Sequence, residues 1–338
     1  MINQAIPEKN GTVADFNTAF ALVREEVDKA LSSAPLIIRG YTEYLMKSKG
    51  KFIRAISVIT CAQKEDGAVS KDAVRMAAAI EILHLATLVH DDVIDDAGVR
   101  RGVPTLQKKY GKRTAVICGD YLLSAALKMA SSIYRETSGG LPDAAADDKR
   151  NMQNLNLPDY VARICLGELN QHINNGNLNL TVFQYLKIIS GKTAALFEAS
   201  FCAGAVFSGC GAKEINKYRR LGRQIGMIFQ LIDDCMDFEA DESVAQKPVQ
   251  SDFEQNVITL PLIRAIQNLK GFKEVIKTTL ISRNEINEAV KQAGGIAFAR
   301  MIAKKYYGKS LRLIGELDAP EEKKEALTGI LNKVYREF

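Results

Sequence analysis

Residues 91–96 read DDVIDD and residues 233–237 read DDCMD. On a helix, Asp91 and Asp95 are four residues apart, as are Asp92 and Asp96, so each pair stacks on one face across adjacent turns. Such like-charge pairs cost an isolated helix about 0.2–0.5 kcal/mol each, and more where the face turns away from water. A bound cation converts that cost into attraction. Asp233, Asp234 and Asp237 repeat the spacing of Asp91, Asp92 and Asp95. If the two helices pack side by side, their carboxylates form an all-oxygen cage. Oxygen ligands select hard cations, and Mg²⁺ takes only one or two carboxylates per ion, completing its shell with water and substrate phosphates. The spacing therefore predicts Mg²⁺ and a phosphorylated substrate. His84, His90 and His172 show neither HxxxH nor HExxH spacing, which disfavours zinc.

Phosphates also need direct cationic partners. Behind Gly50, Lys51 and Arg54 form a basic face at i and i+3 where free backbone N–H groups would help hold an anion. Arg100 and Arg101 follow the first aspartate cluster, and Lys247 follows the second. Each alone reads as an ordinary surface or helix-end cation. Their joint placement beside carboxylate clusters points to diphosphate binding.

The elements that must position these groups are helices. Long proline-free stretches rich in Ala, Leu, Ile and Met, with few strand-like alternations, predict an all-α protein. DAVRMAAAIEILHLATLVHDDVID, residues 72–95, is apolar on most sides and predicts a buried helix; residues 213–238 predict a second long helix, and both end in aspartates. Residues 136–159 combine Gly, Pro, Asn and Asp, which predicts a flexible surface loop inside a single domain spanning 1–338.

Composition bounds the function. The chain has 338 residues, 47% of them apolar and 25% charged, and Lys plus Arg number 45 against 40 for Asp plus Glu, with no long basic run. That balance argues against a nucleic-acid partner. Six scattered cysteines without a CxxC pair, and no cationic–apolar leader, predict a reduced, cytoplasmic setting. The most membrane-like stretch is residues 193–212, but Glu198 and its many small residues suit a buried core helix, so no transmembrane segment is expected.

The motifs together resemble one family, the trans-prenyl diphosphate synthases, over about residues 40 to 265. The markers are GKFIR (50–54), HLATLVHDDVIDDAGVRRGVPT (84–105), GDYLL (119–123), Gly167, Glu168 and Gln171, GKTAALFE (191–198), FQLIDDCMD (229–237) and TLPL (259–262). The resemblance implies the isoprenoid synthase fold, long antiparallel helices around a central cavity, and Mg²⁺-dependent head-to-tail condensation of isopentenyl diphosphate with an allylic prenyl diphosphate. It implies that Asp91, Asp92, Asp95, Asp233 and Asp237 hold about three Mg²⁺ ions, with Mn²⁺ as a substitute. Asp234 and Lys192 join them as catalytic groups. Arg100, Lys192, Thr193, Gln230 and Lys247 would meet the allylic diphosphate, while Gly50, Lys51, Arg54, His84 and Arg101 would bind isopentenyl diphosphate. A homodimer and product release at a membrane surface are further implications.

Allylic C–O cleavage leaves a carbocation and a diphosphate anion, so cations must stabilise the leaving group and apolar walls must exclude water. No protein nucleophile is required. Lys49 stands where the family has a second glycine, Ala55 where proline is common, and Asn256 and Val257 where it has Gly-Lys. Lys247 is therefore expected to carry more of the diphosphate binding. Small residues beneath Asp91, Ala86 and Thr87 at about 6–7.5 Å along the helix, are expected to leave room for a product longer than C15, with Leu83 at about 12 Å, or a side chain of a partner helix, as the expected floor. Two neighbouring readings remain. A class I terpene cyclase would carry a mixed Asn/Ser/Glu second motif and lack GKFIR. A catalytic subunit that works only with a small partner would keep every motif.

Overall fold

A computed structural model describes residues 12–13, 15–47, 50–139, 155–239, 257–278 and 281–336. Lys49, Lys247, Asn256 and residues 140–154 of the expected loop lie outside them. The described residues are overwhelmingly helical. In chain order the helices are α1 (Phe16–Ser32), α2 (Leu36–Leu45), α3 (Ile53–Ala62), α4 (Lys71–Ile94), α5 (Leu106–Tyr110), α6 (Lys112–Gly139), α7 (Leu157–Ile173) and α8 (Val182–Lys192). They continue as α9 (Ala194–Phe207), α10 (Ala212–Glu239), α11 (Leu260–Asn268), α12 (Phe272–Thr278), α13 (Arg283–Gln292), α14 (Gly295–Gly315) and α15 (Glu321–Arg336). Four two-residue strands form two antiparallel pairs: β1 (Thr12–Val13) with β2 (Val69–Ser70), and β3 (Val99–Arg100) with β4 (Val103–Pro104). Both ends of the expected 136–159 loop are helical, since α6 runs to Gly139 and α7 starts at Leu157.

The chain groups into two compact units. The first comprises Met1–Asp159, Leu196–Gly222 and Glu316–Ile330; the second comprises Tyr160–Ala195, Arg223–Gly315 and Leu331–Phe338. In the first unit α4 packs against α1, α3, α5 and α6. Ser70 caps α4, its hydroxyl accepting the Ala73 N–H at 3.1 Å, and Asp72 in the first turn suits the positive end of the helix dipole. The helix closes in a Schellman-type turn: Ala97 N–H donates to the Asp92 carbonyl (2.9 Å), Asp96 N–H to that of Val93 (3.4 Å), and Asp96 takes the left-handed conformation (φ 50). Aspartate tolerates that conformation better than most residues, which lets the acidic run continue through the turn.

In the second unit α11 packs against α8, α12, α13 and α14. A capping box starts α8, Thr181 and Gln184 each satisfying the other's backbone N–H. By length and composition alone α4 and α6 could each cross a bilayer, and not the 193–212 stretch, whose helix α9 has only 14 residues. The apolarity of α4 is accounted for by its burial against four other helices.

Candidate active site

The first aspartate cluster sits at the negative end of α4, with no basic residue in the last turn. Carboxylates are least favourable there, because their charge adds to that of the unpaired carbonyls. The structure meets this cost unevenly. Asp92 is buried, and the Arg100 guanidinium Nε donates to it at 2.7 Å. Exposed Asp96 pairs with Lys112 at 2.8 Å, which holds its carboxyl below the usual range. Asp91 and Asp95 stay half-exposed on one face. Asp92, expected among the metal ligands, accepts from Arg100 in this structure.

Arg100 and Arg101 reach their places through a hairpin. Arg101 (φ 52) and Gly102 (φ 76) occupy the two central positions between β3 and β4, the backbone signature of a type I′ turn. A left-handed arginine is uncommon, and glycine beside it makes the turn possible. The Arg101 guanidinium lies against Gly50: a Cβ there would come within 2.9 Å of Nη1. A side chain at position 50 would push that guanidinium aside.

Arg54, at the start of α3, is buried with its guanidinium over the Phe197 ring at 4.7 Å, and its Nε has no hydrogen-bond partner among the described residues. Burial first, and the Arg101 charge, pull its pKa down to about 10, while Glu81 and Asp91 oppose them. Burial raises the Glu81 carboxyl; its Oε1 accepts the Ala55 N–H at 2.9 Å, and Arg54 and Arg101 both act on it. Glu81 organises this cationic face, and the sequence reading overlooked it. Its only signal was an acid within an apolar helix. His84 is held well below its ordinary pKa by burial first and then by Arg54, Arg101 and Arg100, all of which favour its neutral form. Lys51 is exposed at the edge of this face.

Of the residues expected beneath Asp91, Leu83 and Ala86 are each only 1% exposed, whereas Thr87 is half-buried, its hydroxyl donating to the His84 carbonyl at 2.8 Å. Helical geometry explains the difference: Thr87 is four residues before Asp91 and shares its face, while Ala86 is turned towards the packed side. Thr87 is thus on the Asp91 face of the helix and Ala86 is not.

The second cluster closes α10, again without a basic residue in the last turn. Asp233 and Asp237 are half-exposed, and Asp234 is buried. The Tyr185 hydroxyl donates to Asp234 Oδ2, Gln230 Nε2 donates to Oδ1 at 2.7 Å, and the Thr193 hydroxyl donates to Gln230 Oε1 at 2.6 Å. Burial drives the Asp234 pKa up to about 7 against the pull of these donors. In both clusters, then, the second aspartate is buried and held by protein side chains, and the first and last are half-exposed. Glycine again makes a close approach where α7 crosses α8. A Cβ on Gly167 would lie 2.2 Å from the Lys192 nitrogen, and one on Gly191 would lie 3.0 Å from the Gly167 Cα. That contact brings Glu168 to Lys192, paired at 2.9 Å. The sequence alone indicated neither this pair nor Tyr185.

No three His, Cys, Asp or Glu side chains converge on a ready-made metal cage among the described residues. Two half-exposed carboxylates on each helix end still fit Mg²⁺, which takes few protein ligands and completes its shell with water and phosphate.

Similarity to known proteins gives the fold first. The chain superposes on a heptaprenyl diphosphate synthase from Staphylococcus aureus with TM-score 0.83 and 32% identity, covering 96% of this chain and 99% of that one. It also superposes on a polyprenyl synthase from Caulobacter crescentus, solved with calcium and isoprenyl diphosphate, with TM-score 0.80 and 26% identity, covering 98% and 100%. The all-α fold is that of the isoprenoid synthases. In sequence, the chain is 30% identical to heptaprenyl diphosphate synthase component 2 of Bacillus subtilis (strain 168) over 89% of its own length and 83% of the relative's. The polyprenyl synthetase family model matches residues 35–296, and the chain belongs to that family. It is a prenyltransferase, and the terpene cyclase alternative falls with that match.

Proposed function

We propose that the chain condenses isopentenyl diphosphate head-to-tail with an allylic prenyl diphosphate to build an all-trans polyprenyl diphosphate longer than C15. One observation carries the reading: two helices end in half-exposed aspartate pairs with no basic residue in the last turn, an arrangement that bound cations stabilise. Asp91, Asp95, Asp233 and Asp237 would hold about three Mg²⁺ ions, with Mn²⁺ as a substitute. Bound there, the ions supply charge stabilisation to the departing diphosphate.

The chain's own residues do the rest. Arg100, Lys192, Thr193 and Gln230, together with Lys247, bind and orient the allylic diphosphate. Gly50, Lys51, Arg54, His84 and Arg101 hold isopentenyl diphosphate. A neutral His84 donates or accepts a hydrogen bond without adding charge. The surrounding apolar side chains exclude water from the carbocation. The departing diphosphate is the proposed base for the final proton.

The named relatives make heptaprenyl chains, which favours a product in that range. We further propose that the chain acts as one polyprenyl-synthase domain in the cytoplasm, in keeping with its free thiols, and releases its product at a membrane surface. Leu166, Leu169 and Ile173 form an exposed apolar stripe on α7 that suits a homodimer contact. The Bacillus relative is named as a component, which supports a second reading, a catalytic subunit acting with a partner. Incubation of the purified chain with Mg²⁺, labelled isopentenyl diphosphate and allylic primers of several lengths, followed by product sizing, tests both. A long polyprenyl product from the chain alone supports the first reading. Full activity in EDTA would remove the metal assignment, and activity appearing only with a second subunit would establish the partner.

A further inference from the structure

We propose that Tyr185 is a positioning residue for the allylic-diphosphate side of the reaction, acting through Asp234 and Gln230 on Thr193. The proposal rests on the reading that Gln230 and Thr193 meet that diphosphate. Tyr185 and Asp234 are each 3% exposed, and they come from different helices, α8 and α10. Both oxygens of the Asp234 carboxylate are held by donors, Oδ2 by the Tyr185 hydroxyl and Oδ1 by Gln230 Nε2 at 2.7 Å. A carboxylate gripped at both oxygens cannot swing about its Cβ–Cγ bond.

That grip dictates the orientation of the Gln230 amide. Its Nε2 must face the carboxylate, which leaves Oε1 towards the Thr193 hydroxyl, where it accepts at 2.6 Å. The flipped amide would place oxygen against oxygen at Asp234. Nε2 keeps a second N–H for substrate, and Thr193 Oγ1 is fixed in place. Without the Tyr185 hydroxyl, Asp234 Oδ2 loses its donor, the carboxylate is free to turn, and Gln230 and Thr193 lose their common reference. The neighbouring Asp233 and Asp237 act on Asp234 through their charge.

A merely structural tyrosine would affect stability and both substrates alike, so the two roles separate. The test compares wild type, Tyr185→Phe, Asp234→Asn and Asp233→Asn by two measurements: calorimetric binding of inorganic diphosphate at saturating Mg²⁺, and steady-state kinetics with allylic and isopentenyl diphosphates. Tyr185→Phe is expected to weaken diphosphate binding and raise the allylic KM by about tenfold, as loss of one charge-assisted hydrogen bond implies. The isopentenyl KM and the Mg²⁺ half-saturation should stay at wild-type values, whereas Asp233→Asn should shift the Mg²⁺ half-saturation. Asp234→Asn keeps an acceptor for Tyr185 but presents an N–H where Gln230 donates; it should reproduce the Tyr185→Phe pattern, and it decides the matter if Tyr185→Phe does not fold. Unchanged diphosphate binding, or a parallel rise in both KM values, overturns the proposal. A wild type that binds Mg²⁺ and diphosphate yet makes no prenyl product sinks the functional reading instead, while calorimetry still decides Tyr185.

Discussion

Replacing Arg100 by Met should destabilise the metal-free protein by about 2–3 kcal/mol. The pair it breaks is close, 2.7 Å, and unevenly buried, with 22% of the arginine side chain exposed and 8% of the aspartate. A hydrogen bond to a charged group is worth about 1.5–3 kcal/mol, and stranding the partner of a fully buried ion pair costs about 3–5 kcal/mol. The partial exposure of Arg100 lets water reach Asp92, which keeps the cost below the buried-pair range and in the upper part of the first, about 2–3 kcal/mol. Asp92 also sits at the negative end of α4, so water replaces the guanidinium poorly. Urea denaturation in EDTA, read from the transition midpoint at unchanged slope, measures the loss. A double-mutant cycle with Asp92→Asn isolates the pair, and the coupling should exceed about 1 kcal/mol. A variant as stable as wild type, with coupling near zero, would show that Arg100 does not hold Asp92 in solution.

Three other outcomes follow from the same geometry. Since His84 is kept neutral by burial and three arginines, His84→Gln, also neutral with a donor and an acceptor, should leave the isopentenyl KM within about threefold, whereas His84→Leu should raise it about tenfold by stranding the partner; equal effects from both would refute a polar role. Gly167→Ala puts a methyl 2.2 Å from the Lys192 nitrogen, so the α7–α8 crossing must open, at about 1–3 kcal/mol of stability in a thermal or urea melt. A fully stable variant would contradict the close crossing. Thr87→Phe should shorten the product in a sizing assay with the first condensation intact, while Ala86→Phe should mainly overpack the core, at about 1–3 kcal/mol. The reverse pattern would favour Ala86 over Thr87 as the chain-length position.

Much of this was legible in the sequence because the informative signals were local. Apolar runs ending in aspartates mark α4 and α10 to within a residue or two. What stayed hidden depends on contacts between distant positions. Tyr185 and Asp234 are 49 residues apart, and nothing in either neighbourhood names the other. Glu168 and Lys192 meet only because two glycines let helices touch backbone to backbone. Spacing alone does not separate the aspartates of the two clusters by exposure, whereas packing buries Asp92 and Asp234 and leaves Asp91, Asp95, Asp233 and Asp237 half-exposed. Loop composition misled at 136–139 and 157–159, where helices continue through glycine, serine and proline-containing stretches. Proline in the first turn of α7 costs little because its missing N–H has no helical partner there.

Placing acid at the wrong end of two helices also ties the lifetime of the folded chain to its surroundings. A ligand that binds only the folded state at a hundred times its Kd adds about 2.7 kcal/mol to stability, a large share of the 5–15 kcal/mol typical of a whole domain. Cations held by the aspartates of α4 and α10, and diphosphates held in turn by those cations, would be such ligands. When isoprenoid precursors run short the protein would lose that reinforcement, unfold more often and be cleared sooner by proteases. Its abundance would then follow precursor supply without any dedicated sensor.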